Sequence, residues 1–226
     1  FLLQECASEE IVLAVADGVG GSKLGNKAAK LALESIADEV KKLDKSSSLR
    51  SNIVDGFEKA NSEILKLGIG AATTLAVVEI SGDRVRSYHV GDSFVMLVGQ
   101  RGKQKYQTID HTPVGYALEA GFVEEEDALS HDERHIVTNV VGSEDMRIEI
   151  GPLLQMQARD TLLLATDGLS DNLSSDEIKE VVRKGQLSTC ANSLIQLSEE
   201  RMSYEGTDLP SKPDDLTFIL YRKLPK

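Results

Sequence analysis

One pattern constrains this chain more than any other. An apolar, strand-like run ends in Asp-Gly at Ile11–Ala16 with Asp17-Gly18, and again at Thr161–Thr166 with Asp167-Gly168. Near the C-terminus the order reverses, and Pro213-Asp214-Asp215 precedes the apolar run Leu216–Tyr221. A carboxylate at the tip of a buried strand is costly unless a positive group meets it. If the last strand runs antiparallel to the other two, its start lies beside their ends. Asp17, Asp167 and Asp214 then converge on one edge of the core. Three such carboxylates, read as having no basic residue beside them, point to divalent metal ions. A single Asp-Gly after a strand is more often a plain turn; the ordered set carries the inference. Two metals need oxygens from separate segments with room left for water. The glycine at position 18 also leaves its carbonyl approachable as a further ligand.

A length of 226 residues is enough to bury a sizeable core. The formal charge of −12 argues against nucleic acid and anionic membrane surfaces as partners, because no basic patch exists to meet phosphate. Cys6 and Cys190 are far apart and form no Cys-x-x-Cys pair, which disfavours a disulfide framework or a thiolate zinc site. No apolar run approaches the roughly 20 residues of a membrane span and no signal peptide is visible, so a cytoplasmic protein is the expectation, monomeric by default. The opening Phe1-Leu2-Leu3 reads like the middle of a strand and lacks Met, so further residues are expected upstream.

Apolar residues at Ala29, Leu33, Ile36, Val40 and Leu43, then at Ile53, Phe57, Ala60, Ile64 and Leu67, predict two amphipathic helices, the first capped by Asn26. Strand signals follow at Thr73–Ile80, Arg84–Val90, Ser93–Val98 and Gln104–Ile109, with turns at 81–83, 91–92 and 99–102. They predict an antiparallel meander with Gly91-Asp92-Ser93 as a hairpin turn. Residues 112–135 are polar and acidic, with two short helical stretches, and look like a surface excursion. Strands are expected again at Ile136–Val141, Arg147–Ile150 and Thr161–Thr166. Ser174-Ser-Asp-Glu177 is a capping box opening a helix to Lys184, and a second helix covers Thr189–Tyr204. Helices in pairs and strands in runs favour helices layered outside antiparallel sheets over a parallel wound sheet.

Other motifs are weaker. The loop Gly18-Val-Gly-Gly-Ser-Lys-Leu-Gly25 fits neither the dinucleotide fingerprint nor the P-loop, since Lys23 stands where a third glycine belongs and Ser precedes Lys. His131-Asp-Glu-Arg-His135 has Asp132 where a zinc protease needs Glu, and reads as a solvated segment. His111 beside Asp110 reads as a structural histidine. No Gly-x-Ser-x-Gly elbow supports a serine triad.

Taken in order, Asp17-Gly-Val-Gly-Gly21, Ala72-Thr-Thr74, Gly91-Asp-Ser93, Asp110-His111, Val137-Thr-Asn-Val-Val-Gly142, Thr166-Asp-Gly-Leu-Ser-Asp171 and Asp214-Asp-Leu-Thr217 make the chain resemble the protein phosphatase 2C family, in its bacterial form. The resemblance implies one α+β catalytic domain over 1–226, an α-β-β-α sandwich of two antiparallel sheets flanked by helix pairs. It implies hydrolysis of phosphoserine and phosphothreonine in proteins by a metal-activated water, using two or three Mn²⁺ or Mg²⁺ ions. Carried over by position, Asp17 bridges two metals, the Gly18 carbonyl binds one, Asp167 and Asp214 complete the first, and Asp110 belongs to a third. No residue beyond the metal ligands is cast as catalytic. Segment 112–135 matches the flap beside the cleft. The family's opening arginine and second-metal acids are not in this sequence, Phe94 stands where arginine is usual, Asp215 where asparagine is usual, and Val19 where eukaryotic members carry histidine. The alternative reading is a phosphatase-fold binding module without catalysis; a hydrolase of other phosphoesters is a weaker third.

Overall fold

The computed structural model describes residues 1–223 apart from 7–9, 20–22, 45–46, 69, 130, 132, 205 and 207–208. Residues 20–22 of the glycine-rich loop, and Asp132 of the two-histidine motif, therefore lie outside the described residues. The first sheet contains β1 (Leu2–Glu5), β2 (Glu10–Val15), β3 (Leu75–Ser81), β4 (Arg84–Val90), β7 (Glu149–Ile150) and β8 (Leu154–Gln155). Its order is β1-β2-β3-β4-β7, with β8 also on β4. The second sheet orders β10 (Phe218–Arg222), β9 (Thr161–Ala165), β5 (Phe94–Val98) and β6 (Gln104–Gln107). Every pairing is antiparallel.

Helices α1 (Lys23–Lys41) and α2 (Leu49–Leu65) cover the first sheet. Ile36 and Val40 of α1, with Ile53, Phe57, Ala60 and Ile64 of α2, pack on Val12, Ala14, Leu75, Val77 and Tyr88. Ile36 and Val40 of α1 are buried as expected, but in the first half of the helix the buried face is shifted by one residue. Ala28 and Ala32 are fully buried while Ala29 and Leu33 are only partly so. Alanine at those positions lets the two helices approach closely; a Cβ at Gly56 of α2 would stand 2.8 Å from the Ile36 side chain. The second core lies between the sheets, built from Leu13, Val15, Ala76 and Val78 against Val95, Leu97, Leu162 and Leu164. The third sets Phe94, Met96 and Leu163 against α5 (Asp167–Ser170), α6 (Ser175–Val182) and α7 (Leu187–Met202). The result is the expected four-layer order. It explains why β5 and β9 are buried along their whole length and apolar at every position but Thr161: each strand is covered on both faces.

Four expectations need correcting or refining. The meander is split, because β4 and β5 belong to different sheets and Gly91-Asp92-Ser93 is a crossover, not a hairpin turn. The physical reason is that β4 has no free edge: β3 holds one side while β7 and β8 hold the other. Residues 136–141 form no strand. Thr138 N–H donates to the His111 carbonyl, and Val141 makes only an isolated bridge to Thr73. The final strand starts at Phe218 rather than Leu216, and Leu154–Gln155 is a short strand the pattern did not announce. The capping box at Ser174 and Glu177 forms as expected. Two short helices, α3 (Pro113–Glu119) and α4 (Glu125–Leu129), occupy the acidic excursion. Among the described residues no helix is long and apolar enough to cross a membrane.

Candidate metal centre

The two sheets bring their strand ends together at one edge of the molecule. Asp17 follows β2 after a single residue. Its carbonyl accepts from Thr74 N–H at 2.8 Å and from the Thr73 hydroxyl at 2.6 Å. Its own N–H donates to Thr74 Oγ1 at 3.1 Å, and that hydroxyl sits 2.6 Å from Ser93 Oγ. Asp17 is thus positioned by the start of β3 and by the crossover before β5. Gly18 is needed for close approach: a Cβ there would lie 2.3 Å from the carbonyl carbon of Gly25, in the first turns of α1. Asp167 is the first residue of α5, separated from β9 by the N-cap Thr166. A Cβ on Gly168 would meet the Asp215 carbonyl at 2.3 Å, so the missing side chain lets the 214–215 segment lie against α5. Antiparallel pairing of β10 with β9, Phe218 opposite Ala165, then places the start of β10 at the end of β9.

Asp17, Gly18, Asp167 and Asp214 accordingly line one cavity of about 280 Å³, together with Asp92 and Lys212. Asp110 does not line it. It lines an adjoining pocket of about 100 Å³ beneath α3 and α4, with Asp171 and Arg134. Its Oδ1 is buried and, among the described residues, has no hydrogen-bond partner. Of the departures noted in the sequence, Val19 and Asp215 line the main cavity and Phe94 the adjoining pocket. His135, expected in a solvated surface segment, is exposed but lines the main cavity.

Electrostatics separates these carboxylates from surface acids. Burial, followed by the charges of Asp167, Asp214 and Asp92, raises Asp17 to about 7. Burial, then Asp171 and Asp167, raises Asp110 to about 7. Burial and the neighbouring Asp167 and Asp110 push Asp92 well above the carboxylate range. Asp171 is raised by burial, with Lys212 opposing. Ionising the set requires concentrated positive charge, and an all-oxygen donor set suits hard divalent ions such as Mg²⁺ or Mn²⁺. The orphaned Asp110 Oδ1 fits the same reading, since a buried carboxylate oxygen without a donor is otherwise costly.

Contrary to expectation, a basic residue stands beside the trio. Lys212 Nζ lies 3.0 Å from Asp167, 2.5 Å from Asp171 and 3.2 Å from Asp214. Sequence reasoning also assigned no site role to Asp92 or Asp171. Asp171 carried a usable signal, since it is four residues beyond Asp167 and so on the same helical face. Asp92 was read as part of a turn, and only the crossover brings it to the cavity.

A second cluster, His89, His111 and Glu149, brings three ligand-type atoms within 4.8 Å of one another. Its hydrogen bonds argue against metal. Gly91 N–H and the Asn139 amide both donate to His111 Nδ1, at 3.0 and 2.9 Å. Asn139 is held in that orientation by both backbone groups of Arg147. The His111 proton is therefore on Nε2, which donates to Glu149 at 3.2 Å. The two imidazoles stack with centroids 4.4 Å apart and interplanar angle 18°, so the cluster braces the Asp110 loop against β4.

Comparison with known proteins bears on the family and the fold. Residues 1–202 match the family described as protein phosphatase 2C. Protein phosphatase PhpP of Streptococcus pneumoniae serotype 2 (strain D39) is 32% identical over 180 residues, covering 76% of this chain and 72% of that protein. The serine/threonine phosphatase structure from S. agalactiae superposes with a TM-score of 0.82 at 28% identity, covering 98% of this chain and 91% of that one. The catalytic domain of the phosphatase PstP in complex with two manganese ions shares the fold, with a TM-score of 0.73 at 22% identity over 99% and 91% of the two chains.

Proposed function

This chain belongs to the protein phosphatase 2C family, and we propose that the cavity shared by Asp17, Asp167 and Asp214 is where it hydrolyses phosphoserine and phosphothreonine. The enzyme is a metal-dependent protein serine/threonine phosphatase, and its substrates are phosphoproteins. The observation that carries the assignment of the site is the convergence of Asp17, Gly18, Asp167 and Asp214, from separate segments of the chain, on one cavity of about 280 Å³. Five aspartates, Asp17, Asp92, Asp167, Asp214 and Asp215, line it, and burial with the charges of Asp167, Asp214 and Asp92 raises Asp17 to about 7, so full ionisation of the set calls for positive charge beyond that of Lys212.

In this reading Asp17, the Gly18 carbonyl, Asp167 and Asp214, which line the main cavity, would hold the divalent ions there. Asp110 and Asp171 would hold a further ion in the adjoining pocket. Bound Mn²⁺ or Mg²⁺ supplies Lewis-acid charge and lowers the pKa of water for in-line attack on phosphorus. The chain's own work is positional. Thr73 and Thr74 fix the Asp17 backbone, Gly168 lets Asp214 and Asp167 face each other, and the His111–Glu149 bond steadies the loop that carries Asp110. Segment 112–135, with α3 and α4 roofing the pocket of Asp110, is the flap that meets the substrate.

The test is hydrolysis of a phosphothreonine peptide after treatment with EDTA and after adding back Mn²⁺ or Mg²⁺. Turnover is expected to vanish with EDTA and return with the metal. Turnover that persists unchanged in EDTA, or that survives Asp167→Asn at near-normal rate, rules the site out.

A further inference from the structure

Lys212 sits in the middle of the carboxylates and has no role in the mechanism above. An ammonium has three N–H donors and no lone pair. Here it faces three carboxylates, Asp167 at 3.0 Å, Asp171 at 2.5 Å and Asp214 at 3.2 Å. These contacts span the main cavity and the adjoining pocket, so one ammonium draws together acids that line both. A divalent ion held by Asp167 and Asp214 needs oxygens at about 2.1 Å. That places it inside the shell the ammonium fills. With no lone pair, the amine cannot join the ion's ligands, and two cations that close repel strongly.

The backbone of Lys212 is anchored. Its N–H donates to Asn172 Oδ1 at 2.9 Å, and Asn172 Nδ2 donates back to the Lys212 carbonyl at 2.9 Å and to Gly168 O at 3.0 Å. Asn172 is fully buried. The side chain keeps 29% of its surface open, so the ammonium can withdraw along its four-carbon stem while its base stays fixed.

We propose that Lys212 is a tethered competitor for the divalent cation: its ammonium holds the place between Asp167 and Asp214, leaves when an ion binds, and so sets how much metal the phosphatase requires. This rests on the reading of the carboxylate cavity as the metal centre. The same contact keeps the acids compatible with folding before metal arrives.

The test is calorimetric titration of Mn²⁺ into EDTA-stripped, dialysed wild-type protein, Lys212→Met and Lys212→Arg, with thermal melts of each before metal is added. Lys212→Met keeps the length and removes the charge. It is expected to bind Mn²⁺ at least about tenfold more tightly and to melt at a lower temperature in EDTA, while Lys212→Arg stays near wild type in affinity. Unchanged or weaker Mn²⁺ binding by Lys212→Met, with wild type binding normally, overturns the competition. Absence of Mn²⁺ binding by wild type instead overturns the metal-centre reading itself. A second measurement needs no variant. Reductive methylation of wild-type protein, followed by mass spectrometry, should label Lys212 faster with Mn²⁺ than with EDTA; equal rates overturn the proposal.

Discussion

Replacing Asp17 with asparagine should stabilise the protein in EDTA while destroying its activity. Burial, with Asp167, Asp214 and Asp92 nearby, lifts this carboxyl from its ordinary 3.8 to about 7. Keeping it ionised above pH 7 would cost about 4 kcal/mol in a dry site. Asp17 lines an open cavity, and screening by water reduces this to about 2 kcal/mol. The sign follows from the raised value. The carboxyl favours folding relative to its ionised form only while it keeps its proton, so that advantage is complete below pH 3.8 and lost as pH rises through about 7. The substituted amide carries no charge at any pH. In EDTA at pH 8, Asp17→Asn should therefore melt about 4 to 8 °C above wild type, a gain that shrinks toward zero near pH 4. With saturating Mn²⁺ the order should reverse, because only wild type gains the full free energy of binding. Peptide phosphatase activity should fall by more than about 100-fold, since even outer-shell groups of a metal site are worth 10- to 100-fold. The assay is a grid of thermal melts over pH, with and without metal. A variant that melts below wild type in EDTA at pH 8, or a gain that does not change with pH, refutes the reasoning.

Two further outcomes follow from the contacts around the site. Thr74→Val keeps the shape but removes the acceptor for Asp17 N–H and the partner of the buried Ser93 hydroxyl; it should cost about 1–3 kcal/mol in denaturant titration and lower kcat more than it raises KM. His89 is fully buried, and desolvation lowers it to about 4, with His111 adding to the effect while the Ile109 carbonyl and Glu149 oppose it. The unfolded state then takes up a proton first as pH falls, so stability should drop between about pH 6.5 and pH 4. From pH 6.5 to 5 the loss attributable to His89 is about 2 kcal/mol, and His89→Gln should lack it; parallel wild-type and variant stability curves over that range would contradict the assignment.

Much of this protein was determined by local sequence. Period-two and unbroken apolar runs marked most strands, three-and-four spacing marked α1 and α2, and the Ser174–Glu177 box marked the start of α6, because these signals act within one turn or one strand. The strand-then-Asp-Gly pattern and its reversal before β10 were enough to bring Asp17, Asp167 and Asp214 together, since antiparallel pairing with β9 is the arrangement that lets β10 bury its apolar run. Tertiary structure alone decided the rest. The meander broke at Gly91 because β4 already had partners on both edges, a fact set by Glu149 and Leu154, some 60 residues away. That break carried Asp92 to the cavity. Asp110 came to share a pocket with Asp171, apart from the main cavity, because the loop after β6 is held by hydrogen bonds between Gly91 and His111. No sequence signal marked Lys212, and its backbone is held beside the three carboxylates by the buried amide of Asn172. Charge that acts through space has no period along the chain, so its partners appear only once the fold has brought them together.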